Sequence, residues 1–487
     1  MKKNEFIGVI LLFSLLRVIL VSVMGLMPQD AYYCYYGDHP ALSYFDHPPM
    51  IAYMLKLFVM LLGKSVLTLH IADFVVTSFT LYFIYLFLRH LLHGEELKRA
   101  FLLIVTAPFI TLLCINSTPD VPLLFFWSLS LLLIYRAVTG NRWYYWLAGG
   151  LAAGCAFDSK YTALFLVFGL FLFLLFSQEH RWKLLSWKFL LFLLAFSVAV
   201  LPVVIWNIQN EFISLKYQST ERASNMSGLK IEPRFFFGYV GSQLILALPL
   251  FFLVLFRSAV DIIRQYMMRI RIEEKQFFAA SFALPFLLFF TAISLTYWVK
   301  INWILPVYLS GAVLAVTYFK TNKFIRWQTG FSILIHLVAI VELAWMPAPV
   351  HSDDTWWGWD KLATQVKTVK SAYPGYFVFS DDSYKTSAAL NFYLPEHVYA
   401  GNLIEKPAFQ FALDDKNLHP LTGKNAIYVT SELNKKKRAD EGKVQDILQR
   451  YFTTVQPLDS ILLKDGNGIV QRKFAVFECK DYHPKLK

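Results

Sequence analysis

Apolar runs long enough to cross a bilayer recur from residue 6 to about residue 345, separated by short polar loops. The pattern predicts eleven spans. They lie at about 6–27, 66–88, 100–115, 121–135, 144–156, 162–176, a seventh ending near 206, 237–256, 278–298, 304–318, and an eleventh ending near 345. The run at 50–63 is too short for a full span and fits a helix at the interface or a partial span. The run at 144–156 is rich in Gly and Ala, which suits close helix packing. The first run follows MKKNEF and has no small-residue cleavage site before Pro28, so it reads as an uncleaved first helix. Past residue 347 the pattern changes. Residues 350–487 are mixed and polar, with strands expected at 375–382, 425–431 and 473–480 and helices at 383–394 and 439–451. The expectation is a polytopic α-helical membrane protein of about eleven transmembrane helices, over 1–346, followed by a C-terminal extracytoplasmic α/β domain, over 347–487.

Composition supports the membrane reading, since 56% of the 487 residues are hydrophobic and only 16% are charged. Charge then sets the orientation. The clusters Arg89, Lys98, Arg99; Arg136, Arg142; Arg181, Lys183, Lys188; Arg257, Arg264, Arg269, Arg271, Lys275; and Lys320, Lys323, Arg326 all fall on one side if Met1 is cytoplasmic. By the same parity 28–49, 116–120, 158–161, 207–234 and the C-terminal segment lie outside, with 207–234 carrying some basic residues as a local exception. The net charge of +12 is therefore a topology signal and not a nucleic-acid footprint. Cys34, Cys114, Cys155 and Cys479 are not spaced as a thiolate metal site or a disulfide framework.

The outer loop at 28–49 reads PQDAYYCYYGDHPALSYFDHPP, with three Asp, two His and no Lys or Arg. Ionisable groups beside a bilayer are costly and mark functional sites. Asp30, Asp38, His39, Asp46 and His47 share the outer face with Asp120, Asp158 and Lys160. For any one of them alone, solvation and function are equally good readings, but several distant loops supplying acids and bases to one face point to group transfer. A carboxylate can take a proton from an acceptor hydroxyl, and Lys160 and His47 can neutralise a phosphate leaving group. Tyr32, Tyr33, Tyr35, Tyr36, Tyr44 and Phe45 offer flat faces suited to sugar rings, or else form an interfacial aromatic belt. Lys300 beside Asn302 and Trp303 is either a snorkelling anchor or a second phosphate contact. His70 and Asp73, three apart, can pair structurally.

The motifs DAYY, YFDHPPM, NSTPDVPLLFFW, DSKYTALF and INWILPVYLS, in this order over about residues 5–345, resemble the bacterial branch of the protein O-mannosyltransferase and aminoarabinose (lipid A) transferase superfamily. The resemblance implies the C-type glycosyltransferase fold. It also implies an inverting transfer from a polyprenyl-phosphate-linked sugar to an envelope lipid or glycan, at the periplasmic face of a bacterial inner membrane. That superfamily places an Asp-Glu pair ahead of Ala-Tyr-Tyr, where this chain has Gln29 and Asp30. The base is then Asp30, with Asp46 as the alternative. Asp120 matches the second acidic position, Lys160 a phosphate-contacting lysine, and His47 a phosphate-side or metal-side group; Lys300, outside the matched positions, stays open between a further phosphate contact and an anchor. Tyr32, Tyr33, Tyr44 and Asn302 are candidates for sugar or acceptor binding. A divalent ion held among Asp30, Asp46, His47 and Asp120 is left open. So are a protein O-mannosyltransferase-like activity and a lipid-linked sugar transporter or flippase, although a transporter calls for polar residues deep in several spans.

Overall fold

The computed structural model describes residues 2–221, 230–346, 348–350, 352–431 and 441–484. Residues 222–229 of the 207–234 loop and 439–440 of the helix expected at 439–451 lie outside the described residues. The chain forms two compact units. One comprises Met1–Val23, His47–Met54 and His70–Ala344, and the other Met24–Asp46, Leu55–Leu69 and Trp345–Lys487.

Six helices in the described residues are long and apolar enough to cross a membrane. They are α1 (Lys3–Val23), α4 (Val66–Leu91), α7 (Asp120–Gly140), α10 (Trp187–Gln209), α13 (Glu274–Ile293) and α15 (Asn322–Trp345). Two bent pairs raise the number to as many as eight. One is α5 (Gly94–Val105) with α6 (Pro108–Ile115), bent by 47°, and the other α11 (Pro233–Leu246) with α12 (Pro249–Met267), bent by 117°. Shorter apolar helices are α3 (Met50–Leu62), α9 (Leu164–Phe176) and α14 (Leu305–Ala315); α8 (Trp143–Phe157) covers the Gly/Ala-rich run. The straight span expected at 237–256 is thus broken. Leu248, directly before Pro249, sits outside the helical region at φ 70° and ψ 145°, and the chain turns there.

The first unit packs through small residues where the sequence offers them. A Cβ on Gly150 of α8 would sit 2.3 Å from the carbonyl of Phe192 on α10, and one on Gly154 would meet Ala199 at 2.4 Å. Only glycine lets these backbones approach so closely. Phe165 of α9 stacks on Phe286 of α13 with centroids 4.5 Å apart.

The break between α5 and α6 is repaired by side chains from two other helices. Arg17 of α1 donates to the carbonyl of Val105, and its Nε to Thr111 Oγ1 at 3.2 Å. From α15, Gln328 reaches the carbonyl of Leu103 at 3.2 Å and Ser332 reaches that of Thr106. His336 Nε2 lies 2.6 Å from Thr111 Oγ1. Carbonyls left open at the break cannot find water in a bilayer, so neighbouring helices must satisfy them. These are polar groups deep within spans, which the sequence reading does not anticipate, and their hydrogen bonds serve the break.

In the second unit the stretch read as a loop at 28–49 begins with a helix, α2 (Pro28–Asp38). Pro28 at its first position and Asp30 in its first turn, with Asp30 Oδ2 accepting the Met27 N–H at 2.8 Å, form its N-terminus. The C-terminal part holds a five-stranded sheet of order β2-β1-β3-β5-β4. Its strands are β1 (Phe377–Phe379), β2 (Val398–Tyr399), β3 (Ala426–Ser431), β4 (Phe452–Lys464) and β5 (Val470–Tyr482). Strand β1 runs parallel to both β2 and β3, with Val378 opposite Val398 and Ile427, while β5 is antiparallel to β3 and β4. Helices α16 (Trp359–Ser371), α17 (Lys385–Tyr393), α18 (Gln410–Asp414) and α19 (Glu441–Leu448) complete it. Phe379, Tyr428, Phe452, Phe477 and Tyr482 fill a core beside the sheet. Arg472 of β5 is sandwiched between Trp359 and Phe474, 3.9 and 4.8 Å from the two centroids, and pairs with Asp353 at 3.0 Å.

Helix α2 is part of this unit and not an isolated loop. Tyr32 lies against Tyr384 with centroids 4.4 Å apart, and Tyr35 against Phe411 at 4.4 Å. Gln29 Nε2 donates to Asp354 at 3.1 Å, and a Cβ on Gly25 would meet the carbonyl of Trp356 at 2.2 Å.

Candidate active site

Two polar clusters contain most of the expected residues, one in each unit. In the first unit, Asp120 opens α7 and is 1% exposed. Lys160 follows α8 by three residues, and its Nζ donates to Asp120 Oδ1 at 2.8 Å. Asn302, just before α14, donates its amide to Asp120 Oδ2. The helix N-terminus adds favourable partial charge to the carboxylate. The loop that delivers Asp120 is pinned from α4, where buried Asp73 accepts from Ser117 Oγ at 2.7 Å. His70 is buried one turn earlier. Two positions before Lys160, Asp158 is 7% exposed, and burial pushes its carboxyl up to about 7. Its carbonyl accepts the Met50 N–H at 3.0 Å, so the Asp-Ser-Lys turn also anchors the start of α3. His47 is half-buried and precedes the Pro48-Pro49 entry to α3, and Lys300 is exposed.

In the second unit, Asp30 is fully buried in the first turn of α2. Asp46 is 8% exposed, and its Oδ1 receives the hydroxyls of Tyr32, at 3.3 Å, and of Tyr36. Burial raises the pKa of both phenols well above the ordinary tyrosine range, so they remain protonated donors. Tyr33 packs against Tyr32 and Tyr36, each at 5.5 Å. Tyr44 is buried and stacks on Tyr36 at 4.0 Å, while its hydroxyl closes the turn by donating to the Tyr36 carbonyl at 2.8 Å. Asp38 pairs with Lys64 at 2.9 Å.

A divalent ion finds a poor donor set at Asp120, where both oxygens are taken by N–H donors from Lys160 and Asn302. Glu179, His180 and Glu274 do place ligand atoms within 4.8 Å of one another. There, however, His180 Nε2 bonds Glu274 at 2.9 Å, Lys183 lies 2.9 Å from His180 Nδ1, and Arg271 pairs with Glu179 at 2.8 Å. That arrangement is an ion-pair network already neutralised by cations.

Sequence reasoning lists Tyr36 only among many aromatics and misses Gln410, whose backbone N–H reaches Tyr32 Oη at 3.1 Å. It also passes over Arg17, although a lone cation in an apolar run is the signal that finds such residues.

The structure is similar along almost its whole length to ArnT from Cupriavidus metallidurans in the apo state, with a TM-score of 0.64 at 14% identity, covering 98% of this chain and 97% of that one. Its likeness to the same protein bound to undecaprenyl phosphate has a TM-score of 0.63. The fold is that of the C-type glycosyltransferases. The apo oligosaccharyltransferase of Archaeoglobus fulgidus matches this glycosyltransferase fold at a TM-score of 0.54 and 12% identity, over 97% of this chain and 74% of that one. The family described as dolichyl-phosphate-mannose-protein mannosyltransferase matches residues 46–206. A lipid A galacturonosyltransferase, RgtD, of Rhizobium johnstonii is 23% identical over 346 residues, 69% of each chain. The resemblance read from the sequence motifs is borne out, and these relatives support a glycosyltransferase. The residues matched by the family run from Asp46 through Asp120 and Lys160.

Proposed function

We propose that this C-type glycosyltransferase moves a sugar from a polyprenyl-phosphate donor to an envelope glycolipid, lipid A or a related glycan, with inversion at the anomeric carbon. The work is done at the outer face of a bacterial inner membrane. The chain crosses it eleven times with the N-terminus in the cytoplasm and the 347–487 domain in the periplasm. The carrying observation is the buried Lys160–Asp120–Asn302 cluster, set on a fold shared with an enzyme whose structure holds undecaprenyl phosphate.

Asp30 takes the proton of the acceptor hydroxyl, with Asp46 as the alternative base. The acceptor oxygen bonds to the anomeric carbon as the bond from that carbon to the phosphate oxygen breaks, through an oxocarbenium-like transition state. Polyprenyl phosphate departs, its charge met by Lys160, with His47 and Lys300 as further cations. Tyr32, Tyr33, Tyr44 and Asn302 frame the sugar and acceptor.

The test is mass spectrometry of envelope lipids from cells with and without the protein, joined to undecaprenyl phosphate binding by the purified chain. A glycolipid that loses one sugar residue when the protein is removed supports the reading. An unchanged envelope together with no binding overturns it. The family match at 46–206 favours a second reading, a protein acceptor. It predicts that the missing sugar is found on a periplasmic protein.

A further inference from the structure

Gln410 is 4% exposed and opens α18, directly after Phe409, which holds φ 49° and ψ −126°. Backbone strain of this kind persists only where the surroundings enforce it. Here Phe409 is gripped edge-on by Phe45 and Tyr384, each with centroids 5.6 Å away. The conformation aims both hydrogen-bonding ends of Gln410 at the acidic stretch more than 360 residues earlier in the chain. Its backbone N–H donates to Tyr32 Oη at 3.1 Å, and its side-chain Oε1 accepts the N–H of Phe45 at 2.9 Å. Its Nε2 is held by Asp414 at 2.8 Å.

Both bonds bear on Asp46. Phe45 is its chain neighbour, and Tyr32 is one of the two hydroxyls on its Oδ1. The phenol oxygens of Tyr32 and Tyr36 lie 2.8 Å apart, so fixing one restrains the other. A leucine would fill the same space without making either side-chain bond, so packing alone does not call for glutamine. We infer that Gln410 is a positioning residue, which sets the orientation of the Asp46 carboxylate for transfer by clamping the Phe45 backbone and the Tyr32 hydroxyl. The inference rests on the glycosyltransferase reading above, in the form in which Asp46 is the base. It gives the C-terminal region a direct part in setting the acidic cluster of its own unit.

The test compares Gln410→Ala with the paired exchange Gln410→Glu/Asp414→Asn. In the pair, a Glu oxygen still accepts from Phe45, and the new Asn amide donates to the Glu, so the hydrogen bonding is kept with its polarity reversed. Sugar-modified glycolipid is quantified by mass spectrometry in cells, and undecaprenyl phosphate affinity and thermal unfolding are measured on the purified full chain. Gln410→Ala keeps the backbone bond to Tyr32 and loses the side-chain bond to Phe45; it is expected to cut product roughly tenfold, as for one lost hydrogen bond, while binding stays within about twofold of wild type. The paired exchange is expected to restore product to within about threefold. Wild-type product from Gln410→Ala overturns the inference. So does a joint loss of product, binding and melting temperature that the pair does not restore, since that marks a merely structural residue. A wild-type chain that changes no glycolipid and binds no undecaprenyl phosphate instead removes the functional reading, and this inference with it.

Discussion

Lys160 Nζ lies 2.8 Å from Asp120 Oδ1, with side chains 8% and 1% exposed. Two charges so far from water are held only because each compensates the other, and Asn302 satisfies the second oxygen. Removing one partner leaves a buried charge alone. Lys160→Ala should therefore cost about 3–5 kcal/mol, read as a lower melting temperature in detergent. Lys160→Ala/Asp120→Asn should recover most of it. Undecaprenyl phosphate affinity should fall in both variants, and unchanged affinity in both would count against a phosphate role for Lys160.

Asp30 caps α2 through the Met27 N–H and is the proposed base. Asn retains an acceptor for that bond but cannot take a proton. Asp30→Asn should melt close to wild type yet lose roughly 10²–10⁴-fold in transfer. Wild-type turnover would move the base to Asp46, where the same exchange should then abolish activity.

Asp158 is buried with its pKa raised to about 7, so the folded chain holds its proton across a range where the unfolded chain releases it. The folded state binds more protons between about pH 4 and 7, and stability falls as pH rises through that window. Asp158→Asn should raise the melting temperature at pH 8 and leave it nearly unchanged at pH 4.5. An equal effect at both values would contradict the proton assignment.

Neighbouring glycines of α8 should respond oppositely to alanine. A Cβ on Gly150 meets the Phe192 carbonyl at 2.3 Å and Ala195 at 2.9 Å, whereas on Gly149 the nearest atom, of Ile134, is 3.5 Å away. Gly150→Ala should destabilise by about 1–3 kcal/mol by forcing α8 from α10. Gly149→Ala should be neutral or stabilising by up to about 1 kcal/mol through helix propensity. Thermal unfolding of the two variants decides.

Hydropathy is a local property, and it makes much of this protein legible. The apolar runs become helices α1, α4, α7, α10, α13 and α15 because a bilayer demands internal backbone pairing over each run. The β-rich segments around 377, 426 and 474 become strands for the same local reasons. Asp120 and Lys160 can be singled out by the cost of charge near a membrane. Helix α2 is harder, because its tyrosines and acids carry no apolar period, although Pro28 and Asp30 are helix-start signals. Which groups meet is a different matter. Asp120 finds Lys160 40 residues away and Asn302 182 away, and Gln410 finds Tyr32 across 378. Arg17 finds the carbonyl that the α5–α6 break leaves open 88 residues later. Such pairings depend on how buried polar groups are satisfied once helices and strands have packed. Sequence determined the long apolar helices, three of the five strands and the candidate acids, and tertiary structure alone decided which partner each buried charge would have.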